Sequence, residues 1–233
     1  MTSCLPSCPV ANQPGYSRDP RMRLILASTS PRRKELLALL EYPFEVCAPS
    51  FIEQLDPARP AEEQAREFAL NKAVSCASRC PDGLILGSDT VIALDDEVLG
   101  KPRDRADAET MLRRLMGREH RICTAVAILD TRREVSEAAA AVVRVWMRRW
   151  DDARLAAYLG TGESLGKAGA YSIQGVAGDL IEHIEGDFTA AVGLPLRLVA
   201  SMLAGHGLAV VADIEALYRA RPYPNWNRFA SRM

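Results

Sequence analysis

Residues 23–40 read RLILASTSPRRKELLALL, and this stretch indicates the fold class. Its first five residues form a short apolar run that ends in small polar residues, which is typical of a buried strand. The leucine spacing over residues 31–40 predicts that a helix follows. Ser30 can cap that helix, and Pro31 suits its first position. A buried strand that passes directly into a helix is characteristic of α/β proteins.

The same alternation of strands and helices continues along the chain. Further helices are predicted over residues 62–80, 104–116, 151–159 and 196–203. Further strands are predicted over residues 84–87, 91–94, 122–129, 134–148 and near 180–184. The two longest of these apolar runs flank a short polar segment, so they predict a hairpin. We therefore expect an α/β fold.

The bulk composition excludes several classes of protein. With 233 residues and 48% hydrophobic content, the chain can bury the core of one large domain or of two small lobes. A net charge of -1 gives no overall field that attracts nucleic acid or a membrane. Residues 198–212 are too short to cross a bilayer, and residues 1–23 hold four prolines and no apolar signal-peptide core. We expect a cytoplasmic protein that binds neither nucleic acid nor membrane.

The six cysteines are too few for a disulfide framework in a chain of this length. Two pairs, Cys4/Cys8 and Cys76/Cys80, have a C-x3-C spacing, which is not that of a zinc finger. Reduced thiols without zinc are the expectation.

A basic turn lies between the first strand and the first helix. Arg32 and Arg33 occupy the second and third helical positions, where the helix dipole makes a positive charge unfavourable for stability alone. An anion would reverse that penalty. The free backbone N–H groups, the hydroxyls of Ser28 and Ser30 and the two guanidinium groups predict a phosphate cradle. A solvated basic turn beside Glu35 explains the pattern equally well.

Two further loops carry charges suited to phosphate chemistry. Asp89 follows an apolar strand, and carboxylates at the carboxyl ends of strands line the ligand crevice of open α/β sheets. It can activate water or hold a metal, or it can simply close the strand with an Asx turn. Lys101 lies between Gly100 and Pro102, where it can bind phosphate or form an ordinary surface turn. Because Pro102 stands where a P-loop needs Ser or Thr, the usual ATPase or GTPase motif is excluded.

Lys72 and Gln174 are weaker candidates. Lys72 lies on the helix face that we expect to be buried, so its ammonium group should reach solvent along the surface or meet an anion. Gln174 lies in the glycine-rich segment 160–178, which we expect to be irregular. Its amide can read a base edge or cap the loop.

Taken together, these motifs resemble the Maf family of nucleoside triphosphate pyrophosphatases, once described as septum-formation inhibitors. The resemblance runs from about Leu24 to Leu203, with the motifs in family order and at family spacing. They are ASTSPRRKELL, the lysine of LNKA, GSDTVIALDDEVLGKPRD, MLRRLMG, TAVAIL, KAGAYSIQG and VGLPL. An ordered set of this kind is far more specific than any one motif.

The resemblance implies roles for the residues already singled out. It makes Asp89 the proton acceptor and places Ser30, Arg33, Lys72 and Lys101 around the triphosphate, with Lys101, Lys72 and Arg33 contributing to catalysis. Water would attack the α-phosphorus after activation by Asp89 or by a divalent metal, Mg²⁺ or Mn²⁺.

The implied metal ligands are Asp89 and Glu53. Glu53 matches the glutamate of the family's acidic V-D-E element, which here reads Phe51-Ile52-Glu53. Ile52 stands where the family has aspartate, so this chain lacks one carboxylate of that element.

The preferred base is also implied by the resemblance. At Arg32, Thr90 and Gln174 the chain resembles the pyrimidine-preferring type, whereas the type that acts on 7-methyl-GTP has Trp, Gln and Glu there. A glutamine amide can both donate to and accept from thymine or uracil, while a glutamate only accepts. We predict a preference for dTTP and UTP.

The implied fold is a mixed sheet with flanking helices, in two lobes around a central cleft, as in ITPase-like proteins, and often dimeric. We expect the domain over residues 23–207, a disordered N-terminal extension over 1–22 and a C-terminal extension over 208–233. Other functions stay open, namely a 7-methyl-GTP or broad-specificity pyrophosphatase, a non-catalytic nucleotide-binding regulator of cell division, and a phosphomonoesterase or sugar-phosphate enzyme.

Overall fold

The computed structural model describes residues 22–223 and 225–229. Within them the strands are β1 (Arg23–Ala27), β2 (Phe44–Val46), β3 (Gly83–Leu94), β4 (Glu97–Leu99), β5 (Glu119–Asp130), β6 (Val135–Met147) and β7 (Ile181–Glu185). The α-helices are α1 (Pro31–Ala38), α2 (Ala61–Val74), α3 (Arg105–Leu115), α4 (Asp152–Gly160), α5 (Phe188–Val192), α6 (Leu196–Gly205) and α7 (Ile214–Ala220). The expected disorder of residues 1–21 and the pair Cys4/Cys8 lie outside the described residues.

The strands form one mixed sheet, which confirms the predicted fold class. Their order is β2-β1-β3-β5-β6-β7, and β4 pairs with the distal part of β3. β1 runs parallel to β2 and β3, whereas β5 runs antiparallel to β3 and forms the predicted hairpin with β6. Helices cover both faces, and the largest buried cluster lies between the sheet and α1, α3, α4 and α6.

β3 corrects the prediction that a strand ends just before Asp89. Residues 84–87 and 91–94 belong to one continuous strand, and Asp89 lies at its middle, opposite Ala125 of β5. The polar residues at 88–90 look like a turn in the sequence, but β5 pairs with the backbone through them. β1 ends at Ala27, opposite Gly87, so β3 has lost its parallel neighbour where the polar segment containing Asp89 begins.

Helix α2 packs so closely against β3 that the two backbones are in contact at Gly87. A Cβ built on Gly87 would lie 2.0 Å from the carbonyl oxygen of Ala69 in α2, so only glycine fits there. The predicted helix over residues 62–80 is too long, because α2 ends at Val74 and a short 3₁₀ turn follows. At this end the hydroxyl of Ser75 donates to the carbonyl oxygen of Lys72 and competes with regular helical bonding.

Helix ends follow the sequence signals at most positions. Asp104 caps α3 and Asp151 caps α4, each accepting a backbone N–H with its side chain. Gly117 follows α3 with a φ of 73°, which glycine tolerates. The prediction that Ser30 caps α1 is wrong for its side chain, which makes no capping bond.

The segment after α6 packs onto the same core as the rest of the chain. Leu208, Trp226 and Phe229 are buried in the largest cluster, and α7 lies between them in sequence. The described cysteines, Cys47, Cys76, Cys80 and Cys123, are buried and carry free thiols. In residues 22–223 and 225–229, no helix has the length and apolar content required to cross a bilayer.

Candidate active site

A cleft of about 650 Å³ opens beside β3, where β1 has turned away into the basic loop. Its described lining carries five cationic side chains, namely Arg32, Arg33, Lys72, Lys101 and Lys167. Two carboxylates, Glu53 and Asp89, lie among them. The cleft therefore has an excess of three positive charges in a chain whose net charge is -1. Such a local field attracts a polyanion.

The cleft brings together nine of the ten site residues predicted from the sequence, Ser28, Ser30, Arg32, Arg33, Glu53, Lys72, Asp89, Thr90 and Lys101. They come from the loop after β1, the start of α1, the segment before α2, α2 itself, β3 and the loop after β4. Because successive residues of a strand point to opposite faces, Asp89 faces α2 while Thr90 faces α5. Both still reach the cleft because β1 pairs with β3 only as far as Gly87, so this edge of β3 is uncovered beyond it.

A charged cluster links α2, β3 and the two neighbouring loops. The ammonium group of Lys72 contacts Oδ1 of Asp89 and lies 2.6 Å from Oε1 of Glu53. Lys101 Nζ lies 2.8 Å from Oε2 of the same glutamate. Lys72 therefore meets anions rather than solvent, and these anions are carboxylates of the protein.

The two carboxylates have different proton affinities. Burial raises the pKa of Asp89, although the positive charges of Lys72 and Arg33 act in the opposite direction. Burial also opposes ionisation of Glu53, but Lys72 and Lys101 outweigh it and lower that pKa to about 2. Glu53 is thus a fixed negative charge, while Asp89 has the raised affinity that a proton acceptor needs.

The free oxygen of Asp89 fits a divalent cation. Oδ2 of Asp89 is buried and has no hydrogen-bond partner, which is costly for a carboxylate oxygen unless a ligand completes it. No group of three or more metal-ligating side chains occurs in the described part of the chain. Mg²⁺ commonly binds through one or two carboxylates together with substrate phosphates. Glu53 and Asp89 suit a cation that binds in this way.

The two arginines of the basic turn are fixed by hydrogen bonds to other parts of the fold. Arg33 donates from Nε to the carbonyl oxygen of Gly193 at 2.9 Å and from Nη2 to Oγ1 of Thr90 at 3.0 Å. Arg32 donates from Nη1 to Oγ of Ser172 at 3.0 Å. Burial lowers the pKa of both guanidinium groups. Since arginine stays protonated, these two cations are poorly solvated and would gain from an anion.

Thr90 belongs to a directed chain of hydrogen bonds. Thr124 Oγ1 donates to the carbonyl oxygen of Ala190 at 2.8 Å and lies 2.9 Å from Oγ1 of Thr90. Because the single hydroxyl proton of Thr124 is used, Thr124 must accept from Thr90. The hydroxyl of Thr90 is then free to accept from Arg33. This chain of hydrogen bonds fixes both the position of the Arg33 guanidinium group and the direction in which each hydroxyl donates.

Gln174 is placed differently from the other predicted residues. It is partly buried and lies next to Ile173, which lines the cleft, but Gln174 itself is not part of the lining. Its segment is also more regular than expected, with short 3₁₀ helices at Ala168–Ala170 and Val176–Leu180.

Four further residues of the site were missed in the sequence. Thr124, Lys167 and Ser172 lie within the quoted motifs TAVAIL and KAGAYSIQG, and Gly193 lies within VGLPL. Thr124 gave no separate signal because a threonine in a strand is ordinary. Gly193 acts through its carbonyl oxygen, which also accepts from Ser88 Oγ at 3.1 Å and has no side-chain signature.

The chain is similar to proteins of one described family. The family described as Maf-like protein matches residues 23–206. A protein named dTTP/UTP pyrophosphatase from Gloeobacter violaceus is 44% identical over 184 residues, which is 78% of this chain and 95% of that protein. A protein of the same name from Bacillus velezensis is 44% identical over 75% of this chain and 91% of its own length. One from Symbiobacterium thermophilum is 43% identical over 81% and 96%.

Proposed function

The chain belongs to the Maf family, and on this premise we propose that it hydrolyses nucleoside triphosphates, preferably dTTP and UTP, to the monophosphate and pyrophosphate. It is a nucleoside triphosphate pyrophosphatase, as its curated relatives are named. The observation that carries the proposal is Asp89, a buried carboxylate with a free oxygen, in a cleft whose charged side chains are mainly cationic.

The excess of positive charge fits a triphosphate better than a single phosphate. Lys72, Lys101 and the pair Arg32 and Arg33 approach the cleft from three different segments, so their charges are spread along it. One phosphate needs fewer cations than this. A triphosphate can contact the basic turn with one end while its middle lies near Lys72 and Lys101.

In the proposed reaction, water attacks the α-phosphorus and Asp89 accepts its proton. The new oxygen–phosphorus bond forms while the bond from the α-phosphorus to the bridging oxygen breaks, and this oxygen leaves with pyrophosphate. Charge that develops on the leaving group is neutralised by the neighbouring lysine and arginine side chains. The raised pKa of Asp89 favours its role as proton acceptor near neutral pH.

Glu53 and Asp89 would hold a divalent cation, Mg²⁺ or Mn²⁺, when the nucleotide binds. Such a cation supplies charge neutralisation and Lewis acidity at the phosphates. Glu53 stays ionised because Lys72 and Lys101 stabilise its negative charge. The exposed side chain of Ile52, which replaces a carboxylate of the family element, leaves these two residues as the proposed ligands.

The preference for thymine and uracil is proposed from Arg32, Thr90 and Gln174. Arg32 and Thr90 are held by Ser172 and Thr124, and Gln174 follows the cleft-lining Ile173. A fixed guanidinium group would repel the cationic base of 7-methyl-GTP, while uncharged pyrimidines escape this repulsion.

The test is a nucleotide panel with separate detection of pyrophosphate and inorganic phosphate, at fixed Mg²⁺ or Mn²⁺. We expect pyrophosphate release, fastest with dTTP and UTP. Release of inorganic phosphate alone would indicate a phosphatase, and binding without turnover would indicate a nucleotide-binding regulator. A cytoplasmic location and a homodimer are further parts of the proposal, tested by cell fractionation and by light scattering.

A further inference from the structure

Residues 208–223 and 225–229, which we call the C-terminal strap, follow the part of the chain that matches the family. The match ends at residue 206. The strap contains α7 and the buried side chains of Leu208, Trp226 and Phe229. The alignment covers 95% of the Gloeobacter violaceus relative, so little of that protein remains outside it to form a segment equivalent to the strap.

The strap contacts the start of α5, which forms one wall of the cleft. Trp226 stacks on Phe188 with ring centroids 5.2 Å apart and planes 15° apart. The hydroxyl of Tyr218 donates to Oδ2 of Asp187 at 2.8 Å. α5 leads directly to Gly193, whose carbonyl oxygen accepts from Arg33. The strap therefore supports the wall that positions Arg33.

The strap also contacts a second wall of the cleft, formed by Ser172 and Ile173. Asn225 Nδ2 donates to the carbonyl oxygen of Ile173 at 3.0 Å, and Arg228 pairs with Asp179 a few residues further along the same segment. Ile173 and its neighbour Ser172 line the cleft, and Ser172 receives the hydrogen bond from Arg32. The strap thus joins the wall that holds Arg33 to the wall that holds Arg32.

We propose that the C-terminal strap sets the separation of the two cleft walls and thereby the affinity for the nucleoside part of the substrate. This inference rests on the proposed function. Asn225 is the positioning residue, because its amide ties the strap to the wall at Ile173. The triphosphate end depends on Lys72, Lys101 and Arg33. The amide of Asn225 donates to none of these side chains but to Ile173 on the other wall, so its loss should leave the affinity for the triphosphate unchanged.

The position of Asn225 allows a clean test. Its φ of 67° lies in the left-handed region, which glycine and aspartate tolerate. Asn225→Gly removes the amide and keeps the backbone, while Asn225→Asp keeps the shape but cannot donate to a carbonyl oxygen. Arg219→Ala is the matched control, because Arg219 is exposed and its ion pair with Asp213 lies within the strap.

We expect both Asn225 variants to raise KM for UTP roughly fivefold, which is the change in affinity that the loss of one hydrogen bond produces. The kcat of both variants should stay within about twofold of wild type. Inhibition by inorganic tripolyphosphate, which probes the phosphate end alone, should not change. Amide hydrogen exchange over residues 172–179 should be faster in both variants than in wild type and in Arg219→Ala.

Unchanged KM and unchanged exchange in both variants would overturn the proposal. An equal loss of affinity for UTP and tripolyphosphate would also overturn it, because that pattern means general distortion of the site. If wild type releases no pyrophosphate from any nucleotide, the proposed function fails. The exchange comparison still tests the mechanical role of the strap in that case.

Discussion

Lys72 and Asp89 form an ion pair in which both side chains are almost completely buried, with 7% and 4% of their surfaces exposed. The pair joins α2 to the middle of β3. Removing two charges from water is costly, and their attraction compensates only while both are present. The pair therefore couples the stability of the sheet to the chemistry of the cleft.

A double-mutant cycle should reveal this coupling. Lys72→Met leaves the carboxylate of Asp89 buried without its main counter-ion, and we expect the free energy of unfolding to fall by about 3 kcal/mol. Adding Asp89→Asn should restore part of the loss. Urea unfolding of the four proteins at pH 7 measures the coupling. Additive effects of the two substitutions would mean that the pair does not act as a unit.

Asp89→Asn alone should abolish turnover while leaving nucleotide binding largely intact. The amide cannot take a proton from water, but its oxygen can still accept from Lys72. A loss of about a hundredfold or more in kcat is expected for a general base. Pyrophosphate release and calorimetric binding of UTP report the two quantities. Wild-type turnover with saturating metal would show that Asp89 is not catalytic.

Substitutions at Lys101 and Arg33 should separate charge from geometry. Lys101 is half exposed, so Lys101→Ala should lower kcat/KM strongly while the thermal midpoint stays near wild type. Arg33→Lys keeps the positive charge but cannot reach both Gly193 and Thr90, so it should also lower kcat/KM. Full activity of Arg33→Lys would mean that charge alone matters at this position.

The base preference should change when three residues are exchanged together. Arg32→Trp removes a cation and supplies a ring that can stack on the methylated base. Gln174→Glu supplies an acceptor for guanine, and Thr90→Gln completes the exchange to the residues of the 7-methyl-GTP type. We expect the ratio of kcat/KM for UTP to that for 7-methyl-GTP to fall. An unchanged ratio in a folded, active triple variant would show that these residues do not read the base.

Stability should fall below neutral pH because of His120. This side chain is buried, lies 2.7 Å from the hydroxyl of Tyr171, and has its pKa lowered to about 3 by burial. The folded state thus resists a proton that the unfolded state accepts near pH 6.5. Stability is complete above that pH and is lost as the pH falls towards 3. We expect a loss of about 2 kcal/mol between pH 7 and pH 5.

Denaturant unfolding of wild type and His120→Gln at several pH values measures this effect. The variant cannot titrate in this range, so its pH dependence should be smaller by about the same amount. Parallel curves for the two proteins would assign the pH dependence to other groups.

Local signals made much of the fold predictable from the sequence. β1, the β5–β6 hairpin and the capped starts of α3 and α4 follow from apolar periodicity and from Asp104 and Asp151. β2, β4 and α5 have only three to five residues, too few for a periodic pattern to appear. The continuity of β3 through Asp89 depends on pairing with β5, which is a tertiary effect.

The residue types of the site were predictable, but their contacts were not. The bond between Lys72 and Asp89 requires α2 to pack on β3, and the hold on Arg33 requires the carbonyl oxygen of Gly193. Both contacts join residues that are far apart in the sequence, so local sequence patterns do not predict them. The buried aromatic contacts of Trp226 also depend on where the chain returns after α6, which local propensity does not decide.

The close contact at Gly87 has a consequence for mutational tolerance. Position 87 has no functional group and binds no substrate, yet the space for a side chain is filled by the backbone at Ala69. In a saturation library selected for activity, position 87 would be as intolerant as position 89, for a different reason. Depletion at 89 would report chemistry, whereas depletion at 87 would report the lost spacing between a helix and a strand.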